Sequence, residues 1–193
     1  MNTKIRGNTM DCRAFLDAIV NQMFAIRVGQ YRPKAAGQYQ DTALSENRIV
    51  QSLESIRDLN CPDKKGNTLL IYAATYNLHN VMDYLLQHGA NVDYHGYQGT
   101  TALHAAMTNS NWSAVSKLIQ HGANPNSKDK WGNTPLLRAN AQCPVSVINL
   151  LVDAGANPEI PNNFGVTAFM AFEAYPEFIQ AIRRCNPQSF QSE

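Results

Sequence analysis

The chain has few of the features that usually announce an activity. Its four cysteines, Cys12, Cys61, Cys143 and Cys185, are scattered, with no C-x-x-C pair and no framework spacing. Free thiols in a reducing compartment are therefore expected, rather than a disulfide scaffold or a metal knuckle. No apolar run approaches the roughly 18 residues of a membrane-spanning helix, and residues 1–8 lack the apolar core of a secretory signal. The expected location is cytoplasmic, with export by a route that reads no such signal left open. Charge is balanced, 16 basic against 15 acidic side chains. That gives no electrostatic reason to expect nucleic acid or an anionic membrane as partner. The sequence also has no G-x-S-x-G elbow, no H-E-x-x-H and no Walker-type loop. The expectation is a chain without enzymatic activity, cofactor or bound metal.

What is present is a repeat. Glycine falls at Gly66, Gly99, Gly132 and Gly165, and threonine at Thr68, Thr101, Thr134 and Thr167, on a common step of 33 residues. The same step relates Leu70, Leu103, Leu136 and Phe169, then Ala73, Ala106 and Ala139, then Leu85, Leu118 and Leu151. It ends in the triplets that begin at Gly89, Gly122 and Gly155, each reading Gly-Ala-Asn. Each unit reads as a turn, a short helix capped by threonine, a second helix closed by glycine, and a return. At Thr134-Pro135 the proline sits where a helix start needs no N–H. The recurrent alanine lets neighbouring first helices approach, and the recurrent leucine fills the layer between units. No single unit buries that face alone, so the units must stack.

The pattern resembles the ankyrin repeat family. The resemblance rests on Gly99-Thr100-Thr101-Ala102-Leu103-His104 and Gly132-Asn133-Thr134-Pro135-Leu136 at the head of units that end in Gly-Ala-Asn, and it covers about two thirds of the chain. It implies an all-α solenoid of stacked helix-turn-helix units with hairpin-like finger turns, in one continuous domain. The expected divisions are an N-terminal helical capping unit over 1–62, repeats over 63–95, 96–128 and 129–161, and a fourth repeat serving as C-terminal cap over 162–193. It also implies that His104 hydrogen-bonds between units.

Several positions need their own reading. Phe15, Leu16, Ile19, Val20, Met23 and Ile26 follow helical spacing, predicting an amphipathic helix from Asp11 to about Val28 that turns its face to the first repeat. A second helix is expected from Ser45 as N-cap through Ile56. Between them, residues 29–44, with Tyr31, Arg32, Pro33, Lys34 and Tyr39, form a longer connection than a helical hairpin needs. A mobile insertion is the preferred reading over a binding loop. Trp112 reads as an apolar wedge of the core. His88 and His121, each before a C-cap glycine, suit the carboxyl end of a helix better than a metal. In repeat three, Arg138 and Asn140 stand where small residues are usual, implying either a looser stack or groups that face the groove.

The finger positions and the end of each first helix are free of folding duties, so they carry the expected partner site. They are Lys64, Lys65, Asn67 and Tyr76; Tyr97, Gln98, Thr100 and Asn109; Lys130, Trp131, Asn133 and Gln142; and Asn163, Phe164, Val166 and Tyr175. Tyr97, Trp131 and Phe164 are the expected apolar anchors, since exposed turns have no folding reason to carry such rings. Lys64, Lys65 and Lys130 would bias the partner toward an acidic surface. The expected function is a protein-binding module, monomeric alone, acting as a stoichiometric inhibitor, immunity protein or effector. The alternatives are an adaptor joining two proteins, self-association through the aromatic stripe, or an anionic small-molecule or enzymatic site built from Tyr31, Arg32, Lys34, Arg138 and Asn140.

Overall fold

The computed structural model describes residues 12–31, 42–56 and 58–183, and among them the chain forms nine α-helices and no strand. The helices are α1 (Cys12–Tyr31), α2 (Thr42–Leu53), α3 (Leu69–Tyr76), α4 (His79–Gln87), α5 (Ala102–Thr108), α6 (Trp112–Gln120), α7 (Val145–Asp153), α8 (Ala168–Ala171) and α9 (Pro176–Arg183). They stack in two layers. In the first, α1 packs on α3, α3 on α5, α5 on a 3-10 turn at Leu136–Arg138, and that turn on α8; in the second, α2 packs on α4, α6 on α7 and α7 on α9. The residues before the first repeat therefore form a helix pair of the same kind. No described helix is long and apolar enough to cross a membrane.

The periodic residues do the expected packing. Leu85, Leu118 and Leu151 are fully buried in the second layer, each contributing about 1.5–3 kcal/mol of apolar burial. Ala73 and Ala106 are fully buried in the first layer, where their small side chains let α3 and α5 come together. On α1, Leu16, Ile19 and Met23 are buried against that stack. Trp112 opens α6 half-buried against the core, as a wedge should. His88 and His121 each place Nδ1 within 2.9 Å or less of the carbonyl four residues back, Tyr84 and Lys117 respectively. Both rings cap helix ends, and no group of three or more potential metal ligands occurs among the described residues.

Three boundaries differ from expectation. Helix α2 spans Thr42–Leu53, so it stops short of the expected Ile56, and Ser45 lies inside it and is no cap; Ala43 and Leu44 are good helix formers and extend the helix backwards. Helix α1 runs past Val28 to Tyr31, while Arg32, Pro33, Lys34 and Tyr39 lie outside the described residues, as do Arg184 and Cys185.

The third difference is the loss of the first helix of repeat three. Only the 3-10 turn Leu136–Arg138 remains, and Ala139 is extended at φ −61°, ψ 145° rather than helical. Asn140 and the Cys143-Pro144 pair together account for it. The side-chain oxygen of Asn140 accepts from the Gln142 N–H at 2.9 Å, its carbonyl accepts from the Cys143 N–H at 2.9 Å, and its amide donates to Ser110 Oγ at 3.0 Å. Asparagine offers the backbone a local turn that competes with the helix, and Cys143 is biased away from the helical region by Pro144. The second helix is unharmed, because Pro144 serves α7 as its N-cap residue.

Candidate protein-binding face

Three of the four fingers are loops folded around one side chain. Asp63 Oδ1 accepts from the N–H groups of Lys65 and Asn67 at 2.9 and 2.8 Å; Asp129 Oδ1 accepts from Trp131 and Asn133 at 2.9 Å each; Asn162 Oδ1 accepts from Phe164 and Val166 at 2.9 and 3.0 Å. Such short polar side chains stabilise turns by standing in for a backbone carbonyl. The fingers are then joined to one another. Lys130 N–H donates to the Gln98 carbonyl and Asn163 N–H to the Trp131 carbonyl, both at 2.9 Å, and Tyr97 N–H donates to Asn67 Oδ1 at 2.8 Å.

The second oxygen of each aspartate ties its finger to the first-helix layer. The Tyr72 hydroxyl donates to Asp63 Oδ2 at 2.6 Å, and the Arg138 guanidinium forms an ion pair with Asp129 Oδ2. Burial and the neighbouring carboxylate push the Tyr72 phenol up to about 12. Burial alone would raise Asp129, but Arg138 and the surrounding N–H donors outweigh it and hold that carboxyl below its ordinary value. Arg138 therefore does face the groove side, as a finger tether. The middle finger lacks both partners, with Gly96 at the aspartate position and Ala105 at the tether position.

Above this framework stand the aromatic residues. Tyr97 is 54% exposed and Phe164 75%. Trp131 is half-buried, with the Lys130 ammonium 4.4 Å and the Arg138 guanidinium 5.5 Å from its ring centroid. Two cations near one indole hold it in a fixed pose and keep a charged rim beside an apolar ring. Val166 and Met170 are also exposed on the last unit.

Stacked helix pairs carrying projecting, mutually bonded fingers define an architecture, and comparison with protein-family models identifies it. The model for ankyrin repeats, in three copies, matches residues 41–129, and a further ankyrin repeat matches 131–163. The chain is an ankyrin-repeat protein. Comparison with curated proteins gives no match. Ankyrin repeats are in general protein-interaction modules and typically lack catalysis of their own.

In this ankyrin stack the remaining finger residues divide by role. Lys64, Lys65 and Lys130 are all exposed, and Lys64 also pairs with Asp17 at 3.3 Å. Asn133 is committed to the fold: its carbonyl lies 2.9 Å from His104 Nε2 and its side chain joins Asp129 to Asn162. Gln98, half-buried, adopts a left-handed φ of 58° at the bend of its finger. Tyr76 stacks on Tyr72 at 6.1 Å and meets Phe24 edge-on at 6.2 Å, and Tyr175 stacks on Phe178 at 5.5 Å. Both rings pack half-buried against the core, so burial rather than projection accounts for their aromatic character.

His104 makes the bridge between units that the family resemblance implies. Its Nδ1 accepts from Thr101 N–H at 3.3 Å and its Nε2–H donates to Asn133 O at 2.9 Å, which fixes a neutral ring. Burial holds its pKa below the ordinary imidazole value.

Two structural residues escaped the sequence reading. Buried Glu46, from α2, accepts from the Asn80 and Val81 N–H groups at 2.7 and 3.4 Å, capping α4 where Leu78 cannot. Asn111 donates to the carbonyls of Ala74 and Thr75 at 2.8 and 2.9 Å, closing the end of α3 from the next unit. Neither lies on the finger side, and both partners are more than thirty residues distant in sequence. The buried Cys143 thiol is pushed up to about 12 by desolvation, which makes it unreactive.

Proposed function

We propose that this ankyrin-repeat chain is a non-catalytic binding protein that engages one protein partner through its fingers and the groove of first helices behind them. The observation that carries the reading is the exposure of Tyr97 and Phe164 on finger turns whose backbones are already fixed by hydrogen bonds. The turns need no ring for their own stability, and exposed aromatic side chains on a rigid scaffold are the side chains most often found as binding anchors. An interface of ordinary size buries about 800 Å² on each side, which four fingers can supply. With one such face, the role that fits best is masking another protein's surface, as an inhibitor, immunity protein or effector does.

The test is affinity capture from native lysate with the wild-type chain and with a Tyr97→Ala, Phe164→Ala double variant of unchanged circular dichroism. One protein retained by the wild type and lost by the variant supports the reading, and inhibition of that protein's activity at one-to-one stoichiometry supports the masking role. Identical capture by both proteins removes the fingers as the site. Simultaneous retention of two proteins would make the chain an adaptor instead.

A further inference from the structure

The first-helix residue that tethers each finger differs along the stack in a way that builds a notch. At this position finger one has Tyr72 and finger three has Arg138, both large and both held to an aspartate. Between them finger two has Ala105, beside Gly96 where fingers one and three have the carboxylate. A long side chain is missing between two long ones. The result is a groove of about 360 Å³ whose floor includes Ile71 and Ala105, walled by Tyr72 on one side and by Arg138 and Trp131 on the other, with Tyr97 at its edge. That volume lies at the small end of ligand sites, roughly 300–1,000 Å³, and suits one bulky side chain.

Several of the polar side chains that line the notch are already engaged, although the buried Arg138 Nε has no partner. Thr75 Oγ1 donates to the Ile71 carbonyl, Asn109 Nδ2 to the Ala105 carbonyl, the Tyr72 hydroxyl to Asp63, and His104 reaches Asn133. Few convergent groups are left to orient a small polar molecule, so the chemistry favours an apolar side chain delivered by a larger partner. Charge on the fingers that flank the notch is one-sided. Lys65 and Lys130 are exposed on fingers one and three, no carboxylate lines the groove, and the two finger aspartates, Asp63 and Asp129, are turned into their own loops.

Resting on the finger reading above, we infer that the notch over Ala105 takes a single bulky apolar or aromatic side chain from an acidic segment of the partner protein. Carboxylates on either side of that anchor would meet Lys65 and Lys130. The anchor supplies affinity through desolvated contact, and the flanking charges set orientation and speed encounter.

The test uses the full chain and defined probes. Random twelve-residue peptides displayed on phage are selected against it, and enriched sequences are synthesised and titrated by fluorescence polarisation. The expected peptides carry one Phe, Trp, Leu or Met flanked by Asp or Glu. Thr108→Trp fills the groove from its exposed rim without touching the Arg138–Asp129 pair, and is expected to weaken binding at least about tenfold, the scale of one lost anchor. Lys65→Glu with Lys130→Glu is expected to weaken it about as much and to flatten its salt dependence. Melting curves confirm that each variant is folded. No enrichment, enrichment of peptides without acidic flanks, or indifference to Thr108→Trp overturns the inference. The finger reading is judged separately. If the partner captured from lysate is lost with Tyr97→Ala, Phe164→Ala but kept by Thr108→Trp, the reading stands and the notch falls; if both variants keep it, both fall.

Discussion

Two glycines at the same place in adjacent fingers separate local backbone strain from contact between fingers. Gly132 and Gly165 have nearly equal left-handed φ, 79° and 77°. An alanine at either carries the left-handed penalty of about 1–2 kcal/mol. At Gly165 that is the whole cost, because a Cβ there meets nothing within 4 Å. At Gly132 the Cβ would stand 2.8 Å from the Asn163 backbone nitrogen and 2.6 Å from its Oδ1, closer than real Cβ contacts come. That nitrogen donates to the Trp131 carbonyl, so relief of the clash disturbs the bond joining fingers three and four. Overpacking adds about 1–3 kcal/mol, and weakening the hydrogen bond up to about 1 kcal/mol more. Gly132→Ala should therefore cost roughly 2–6 kcal/mol and Gly165→Ala about 1–2 kcal/mol in urea unfolding followed by far-UV circular dichroism. Tryptophan emission should also change in the first variant and not in the second. Equal costs, or a larger cost at Gly165, would refute the claim that the fingers are rigidly coupled.

Other perturbations test the framework. His104 is neutral when folded, with a pKa below the unfolded value of 6.5, so the unfolded chain takes up the proton first and stability drains as pH falls below that value. The gap between wild type and His104→Leu, measured by urea unfolding from about pH 7 to pH 5, should narrow with falling pH by at most about 1.4 kcal/mol per unit. Arg138→Ala should cost about 3 kcal/mol by leaving the Asp129 carboxylate buried without its cation, and Arg138→Tyr, which reproduces the Tyr72 arrangement, should recover much of it in the same assay. Glu46→Ala should cost about 1–3 kcal/mol by uncapping α4, while Glu46→Gln, which keeps an acceptor, should cost less; thermal melts compare the two.

The fold was legible because the glycine, threonine and leucine ladders each encode a local requirement: a finger bend, a helix start that Thr101 and Thr167 cap with their side chains and Thr68 does not, and a filled layer. Those requirements depend only on neighbours in the same unit or the next. The first helix of repeat three was not foreseen as lost, although Asn140 and Cys143-Pro144 carried the signal, because each departure by itself is compatible with a helix and only their combination favours the turn. Among the candidate partner residues, rings that project were not separated in the sequence from rings that fold down, although position in the repeat marks the difference. Phe164 and Tyr97 project from finger turns, whereas Tyr76 and Tyr175, which share one repeat position, lie half-buried against the core. The tethers could have been found: Asp63 and Tyr72 stand nine residues apart, as do Asp129 and Arg138. Gly96 and Ala105 at the matching positions lose carboxylate and donor together. Glu46 and Asn111 were out of reach, since a cap delivered from another unit leaves no local pattern.

The central claim is that the partner meets the fingers and not the outer helices. Photo-crosslinking addresses it directly, with a benzophenone amino acid placed singly at Tyr97, at Phe164, and at the exposed Gln120 of the second-helix layer. One discrete adduct, of the same protein, from both finger positions and none from position 120 is the predicted result. An adduct from position 120 with none from the fingers would contradict the account.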